Sequence, residues 1–222
     1  DIILDDSAIL KNICLQNSKS SGYFHKYSKN KLSSQSSLTS FIFPTGLKFN
    51  KLDLEINLEG ERSECNLQSA SFLNNNEHQE VKTRVNHLFP NCKSYQKVKN
   101  VLTADSKGVY QGKIFVKDVA QKTDAYQLSK AILLSEGSEF DSKPELEIYA
   151  DDVKCSHGST SGSLDKDSVY YLMTRGLSKK ESTKLLVNGF LNEVADSIKS
   201  ESIKKFIKIK LDNQLLDEYK KH

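Results

Sequence analysis

Between about residues 40 and 150 this 222-residue chain is a succession of strand-length apolar runs with no segment of convincing helical period, and no other feature narrows the fold as much. Leu52, Leu54, Ile56 and Leu58 alternate with Asp53, Glu55 and Asn57, the period of a strand with one buried face. Comparable runs at 41–43, 65–73, 81–89, 93–103, 109–119 and 127–134 bring the series to at least seven. So many short strands suit a sandwich, a barrel or a solenoid, and only 3 Pro and 10 Gly are available to punctuate tight hairpins. Polar corners such as Asn74-Asn75-Asn76 and Asn91 favour a solenoid, because asparagine tolerates the left-handed bend. On the strand pattern alone, sandwich and β-helix stay equally open.

The flanks read differently. Residues 1–40 offer brief apolar pieces between Ser-, Lys- and Asn-rich stretches, and 26–40 is the most linker-like part, expected as a long surface loop or a poorly ordered segment. The tail is helical: Asp165 can cap a first helix, and Ser178 with Glu181 forms a capping box for a second. Leu186, Val187, Phe190, Leu191, Val194 and Ile198 make an apolar stripe on that second helix. A third segment from Ser202 sets Ile203, Phe206, Ile207, Leu211 and Leu215 on one face, with Lys204, Lys205, Lys208 and Lys220 off it. Such short helices need the end or flank of the β-region, or a partner, to pack on. The expected organisation is a segment 1–40, a β core 41–162 and a helical part 163–222.

Residues 144–176 join the two regimes. Leu146, Ile148 and Ala150 alternate with Glu145, Glu147 and Tyr149; past Asp151-Asp152 the series continues on odd positions as Val153, Cys155 and His157. A corner or bulge there re-aims the strand, and Cys155 and His157 share a face. Residues 158–162 read as a small-residue connector, after which Val169, Leu172 and Met173 turn helical up to Arg175-Gly176.

Composition removes several function classes. The formal charge of +3 is too small to argue for nucleic acid, and it resides in the tail, where seven Lys face four acidic residues from Lys199 onward. Mean hydropathy is −0.54, and no stretch approaches the length of a membrane span. The start carries no signal-peptide pattern, and it is Asp1 rather than Met, which leaves targeting open. Cys14, Cys65, Cys92 and Cys155 show no CxxC spacing, so reduced thiols in a cytoplasm are the default reading.

The chemistry-bearing residues are few. The run from Gly108 to Ile114 lacks one residue and the final Ser/Thr of a phosphate-cradling loop, so no nucleotide is expected in this chain. Gly158-Ser159-Thr160-Ser161-Gly162 puts Thr where a hydrolase elbow needs Ser. No carboxylate pair suggests a raised pKa, and Asp151 and Asp152 suit a solvated corner. Cys155 and His157 are the one pair with the composition of a metal site, since thiolate and imidazole both ligate iron. The competing view makes Cys155 a small core residue beside Val153 and has His157 bond the turn at Gly158.

The run Asp152-Val153-Lys154-Cys155-Ser156-His157-Gly158-Ser159-Thr160, preceded by Pro144-Glu145-Leu146-Glu147-Ile148-Tyr149-Ala150-Asp151, resembles the SufB/SufD family of iron–sulfur cluster assembly proteins, and its SufD branch in particular. The resemblance covers about 108–194 well. It implies a right-handed parallel β-helix followed by helices, and a non-catalytic scaffold working with a SufB-like subunit and a SufC-like ATPase. It further implies that His157, and less directly Cys155, lie at the SufB interface, where an iron–sulfur cluster is shared transiently and His157 is the candidate metal ligand. SufB-type members carry a cysteine in the strand matching 128–135, where this chain reads Leu128-Ser129-Lys130-Ala131-Ile132-Leu133-Leu134-Ser135, so the thiolate would come from the partner. The last β strands are expected to pair with that partner, or with a second copy in isolation. The helical part, around Leu172, Lys179, Lys180 and Phe190, is expected to dock the ATPase. Cys14, Cys65 and Cys92 fall outside the resemblance as buried or incidental. A β-solenoid carbohydrate-active enzyme or a structural interaction protein is the alternative class.

Overall fold

A computed structural model describes residues 1–16, 20–44 and 46–219, without the side chains of residue 20 and residues 214–219. Its strands are β1 (Ile2–Leu4), β2 (Ile9–Leu15), β3 (Ser20–Leu32), β4 (Ser37–Phe43), β5 (Leu47–Leu58), β6 (Glu64–Leu73), β7 (His78–His87), β8 (Lys93–Leu102), β9 (Lys107–Val116), β10 (Thr123–Leu133), β11 (Glu139–Ile148) and β12 (Val153–Ser163). Three helices follow: α1 (Lys166–Thr174), α2 (Lys179–Asp196) and α3 (Glu201–Tyr219). Odd-numbered strands form one parallel sheet in the order β1-β3-β5-β7-β9-β11, and even-numbered strands the other, β12-β10-β8-β6-β4-β2. The chain therefore alternates sheets at every corner and climbs as a parallel β-helix. Each residue stacks on its equivalent one coil away, as in the series Ser37, Glu64, Lys93, Asp124.

The alternation read from Leu52 to Leu58 is the inward column of this solenoid: Leu52, Ile56 and Leu58 are buried with Leu32, Leu38, Ile42, Leu67 and Val85. The corners carry the left-handed residues. Ser7, Gln35, Arg62, Asn91 and Lys122 have φ near +60° at one corner, and Asn75, Asn76 and Ala104 bend the opposite one. Asparagine fills three of these positions, as its tolerance of that region allows. At five of the corners a buried hydroxyl closes the turn on the carbonyl three residues back: Ser36 on Ser33, Ser63 on Gly60, Ser106 on Thr103, Thr123 on Ala120 and Ser138 on Ser135, at 2.7–2.8 Å. Cys92 holds the equivalent place in its coil, its Sγ 3.3 Å from both the Ser63 hydroxyl and the Gly60 carbonyl.

Two expectations are corrected. Residues 26–40 are two strands joined by a tight turn at 33–36, not a surface loop: β3 pairs with β5 through Leu32, β4 begins at Ser37, and Asn30 and Leu32 face the core. The polar spelling hides this because an inward Asn30 can bond the Glu55 carbonyl. Residues 158–163 continue β12 in unbroken register with β10 out to Leu133–Ser163, so the small residues there are ladder rather than connector.

The helices lie on the flank. Val187, Leu191, Val194, Ala195 and Ile198 of α2 and its end join Ile207 and Leu211 of α3 against Phe41, Phe43, Ala70, Phe72 and Val101 on the outer face of the even sheet. Each fully buried aliphatic side chain contributes roughly 1.5–3 kcal/mol of transfer free energy, enough to hold helices that would be marginal alone. The stripe on α2 is as expected; on α3, Ile203 and Phe206 turn out exposed, while Leu215 and Lys220 lie outside the described side chains. Asp165 caps α1, and the Ser178–Glu181 capping box opens α2.

Candidate functional site: the open end of the solenoid

Strands β11 and β12 make the last coil, and each is the edge of its sheet. The parity change at Asp151-Asp152 is a corner: Asp152 N–H donates to the Gln121 side chain, and the Asp152 carbonyl accepts from Lys122 N–H. Leu146 and Ile148 stack on inward Ile114 and Val116, whereas Cys155 and His157 stack on inward Ala125 and Gln127. Both therefore occupy the inward column of the final strand. Ala125 and Gln127 are fully buried, yet His157 is exposed, because no further coil roofs it.

The two differ in surroundings. Cys155 packs with Val153 against Ile114, Val116, Ala120, Ala125 and Ala150. Burial raises its thiol pKa, so the thiol is protonated at neutral pH. His157 makes no hydrogen bond within the described residues, and Gly158 is strand rather than a turn it could bond. Beneath it, Gln127 donates to the carbonyls of Gly112 and Glu145 and accepts from the Tyr110 hydroxyl, tying β10 to β9 and β11. Ser129 joins Ser142 and Ser159 at 2.7 and 2.9 Å, so the floor of the open end is a bonded polar layer. Among the described residues no three of His, Cys, Asp and Glu gather as a metal site. The donors this chain offers at the open end are one imidazole and one half-buried thiol. A cluster handled there would be cargo needing ligands from elsewhere.

Adjoining this end, α1 buries none of its side chains. It stands between two apolar clefts. One, of about 560 Å³, lies between Phe72, Leu133, Leu134 and the helix residues Val169, Tyr170 and Met173, with Lys179 at its margin. The other, of about 420 Å³, includes Tyr171, Leu172, Leu185 and Leu186. Leu172 and Lys179 thus border open grooves, and Lys180 is exposed at the start of α2. Phe190 is placed differently from the other expected docking residues: it packs toward the sheet, with the Lys99 ammonium 4.4 Å from its ring centre. That buried Lys99 was not legible in sequence, since it reads as one more outward lysine until α2 covers it. Tyr170 and Met173, exposed on α1, were also missed; two large apolar residues on a short exposed helix were the available signal.

Of the other thiols, Cys65 is fully buried, its pKa pushed up to about 12 by desolvation, and Cys92 is occupied at its corner. Cys14 is partly buried. No helix among the described residues is long and apolar enough to cross a membrane.

A family model described as the SufBD core domain of the SUF system for FeS cluster assembly matches residues 1–190. The chain is 32% identical over 158 residues to the iron-sulfur cluster assembly protein SufD of Escherichia coli (strain K12), covering 71% of this chain and 37% of that protein. It is 31% identical over 158 residues to the iron-sulfur cluster assembly SufBD family protein slr0076 of Synechocystis sp., covering 71% and 35% respectively. It is 25% identical over 205 residues to protein ABCI7, chloroplastic, of Arabidopsis thaliana, covering 92% and 43%. The chain spans less than half the length of these relatives.

Proposed function

This chain belongs to the SufBD core family of iron–sulfur cluster assembly as a homologue of SufD, and from that premise we propose that it is a non-catalytic scaffold subunit working in a cytoplasmic complex with a SufB-like subunit and a SufC-like ATPase. The observation that carries the proposal is the unroofed last coil, where an edge strand with unpaired backbone groups presents His157. A parallel edge of eleven residues invites pairing with another strand, and covering it by a partner removes a liability that solenoids must manage. In this proposal β11 and β12 meet the equivalent strands of the SufB-like subunit. His157 then becomes enclosed at the junction and supplies an imidazole to a cluster that both subunits share transiently. Cys155, protonated and packed among apolar side chains, is a secondary donor at most.

The ATPase contact falls on α1 and the start of α2, where apolar clefts flank a helix that buries nothing of its own. ATP is held by that partner. Of the residues expected there, Leu172, Lys179 and Lys180 border the accessible surface, whereas Phe190 supports it from beneath. In isolation the same edge pairs with a second copy, and a chain that remains monomeric at high concentration in sedimentation contradicts that part.

The test is co-expression with SufB-like and SufC-like neighbours, followed by the mass and the iron and sulfide content of the purified complex. A heteromeric complex that accumulates cluster is the expected result; a chain that purifies alone and degrades polysaccharide instead overturns it.

A further inference from the structure

The outer face of the odd-numbered sheet is a lattice of cross-coil ion pairs. His25 pairs with Asp53, Lys29 with Glu55, Lys31 with Glu59, Lys51 with Glu80, Lys107 with Glu139 and Asp141, and Lys113 with Glu147, while Lys143 pairs with Glu145 within β11. Two neighbouring cations on β7 break the pattern. Lys82 and Arg84 are exposed and have no carboxylate within ion-pair distance among the described residues. The register gives the reason. Lys82 stacks on Asp53 and Arg84 on Glu55, but both carboxylates are engaged elsewhere: Asp53 with His25 of the preceding coil at 2.6 Å, Glu55 with Tyr27 and Lys29 of that coil and with Asn57 of its own strand. On the other side stand Gln111 and Lys113, and the acids beyond them are engaged by Lys113 and Lys143. The result is a cleft of about 250 Å³ lined by four cations, Lys82, Arg84, Lys113 and Lys143, together with Gln111 and one acid, Glu145, which Lys143 already pairs.

We propose that this cleft docks an extended acidic segment of a protein partner, one with Asp or Glu at alternate positions. Residues two apart on a strand project to the same side about 7 Å from each other, which is the spacing of Lys82 and Arg84. Carboxylates at i and i+2 of an extended chain repeat that backbone spacing, one for each cation. Arg84 offers the forked donor that takes a carboxylate on two N–H groups, and Lys82 a point charge. Gln111, uncharged and beside Lys82 in the next strand, supplies an amide for the backbone of such a segment. The cleft is on the side wall of the solenoid, away from α1, and its far rim is formed by Lys143 and Glu145 of the edge strand β11.

The test uses the full chain and a fluorescein-labelled decapeptide of alternating Glu and Ser, followed by anisotropy at 20 and 150 mM NaCl. The double variant Lys82→Glu/Arg84→Glu is expected to weaken binding at least tenfold with unchanged circular dichroism. The charge-matched control Lys130→Glu/Lys154→Glu, on the other sheet, is expected to shift it less than twofold. Absent binding to the parent chain, or equal losses from the two double variants, overturns the proposal. Displacement of the peptide by low-millimolar inorganic phosphate as effective as by unlabelled peptide overturns it in favour of a small-anion site.

Discussion

Lys99 of β8 is ion-paired with Glu193 of α2 beneath the helix, the lysine 3% exposed at its side chain and the glutamate 55%. Lys99 also donates to the Phe190 carbonyl at 3.1 Å, so one ammonium ties the helix to the sheet in two places. The partners respond unequally. Hydrogen bonds from Lys99 and Lys97 hold Glu193 down to about 2, whereas desolvation outweighs the carboxylate at Lys99 and lowers its pKa. Burial decides the energetics: the cost of breaking the pair falls on Lys99. Glu193→Gln should destabilise the chain by roughly 1–3 kcal/mol in urea unfolding, because a buried charge loses its partner. Lys99→Met, which removes that charge, should cost less. The reverse ranking would contradict the anchoring role.

Acid stability should fall in two stages. His87 is fully buried, donates to or accepts from the Ser94 hydroxyl at 2.8 Å, and is pushed down to about 4 by desolvation. Its folded pKa lies below the unfolded 6.5, so the unfolded chain binds the extra proton. The stability it contributes is full above about pH 6.5 and is lost as pH falls toward 4, up to about 3 kcal/mol. Glu193, depressed to about 2, contributes above about 4.5 and loses its share below that. His87→Gln should flatten the pH dependence of unfolding between 6.5 and 4 and leave the lower stage in place.

Gly112 sits in a crowded part of the interior: a Cβ there would collide with Gln127 Oε1 and the Tyr110 hydroxyl. These groups hold the polar layer under the last coil. Gly112→Ala should cost about 1–3 kcal/mol by overpacking, read as a lowered urea midpoint with unchanged slope. A variant as stable as the parent would show that the layer repacks freely.

Much of this fold was written in local pattern. Strict alternation in Leu52–Leu58 marks an inward column because parallel coils keep one face dry, and the parity change at Asp151-Asp152 marks a corner for the same reason. Asn75, Asn76 and Asn91 do adopt the left-handed bend. What alternation could not show is register. The closing hydroxyls of Ser36, Ser63, Ser106 and Ser138 look like ordinary surface serines until coils 26 to 32 residues long are aligned. Strand β3 was hidden by inward polar residues such as Asn30, and the burial of Lys99 depends on a helix more than ninety residues away. At the site, the shared face of Cys155 and His157 followed from spacing, but their unequal exposure follows from the apolar cluster that gathers around Cys155 and not around His157.

Charge reversal at Lys179 and Lys180 should weaken capture of the SufC-like ATPase severalfold without altering helicity, and Tyr170→Ser with Met173→Ser should do so more strongly, since the clefts beside α1 are apolar. Pull-down with the ATPase at matched salt checks both. Undiminished capture by all of these variants would place the contact off this face.

The most direct measurement is made on His157→Ala in the complex with the SufB-like and SufC-like subunits. Exposed and unbonded in the isolated chain, His157 contributes little to folding, so circular dichroism and complex mass should match the parent. Iron and sulfide content should fall at least tenfold, because an imidazole enclosed at a dry junction has no solvent substitute, and Cys155→Ser should lose less. A His157→Ala complex that assembles and carries the parental amount of cluster would contradict the role assigned to the open end.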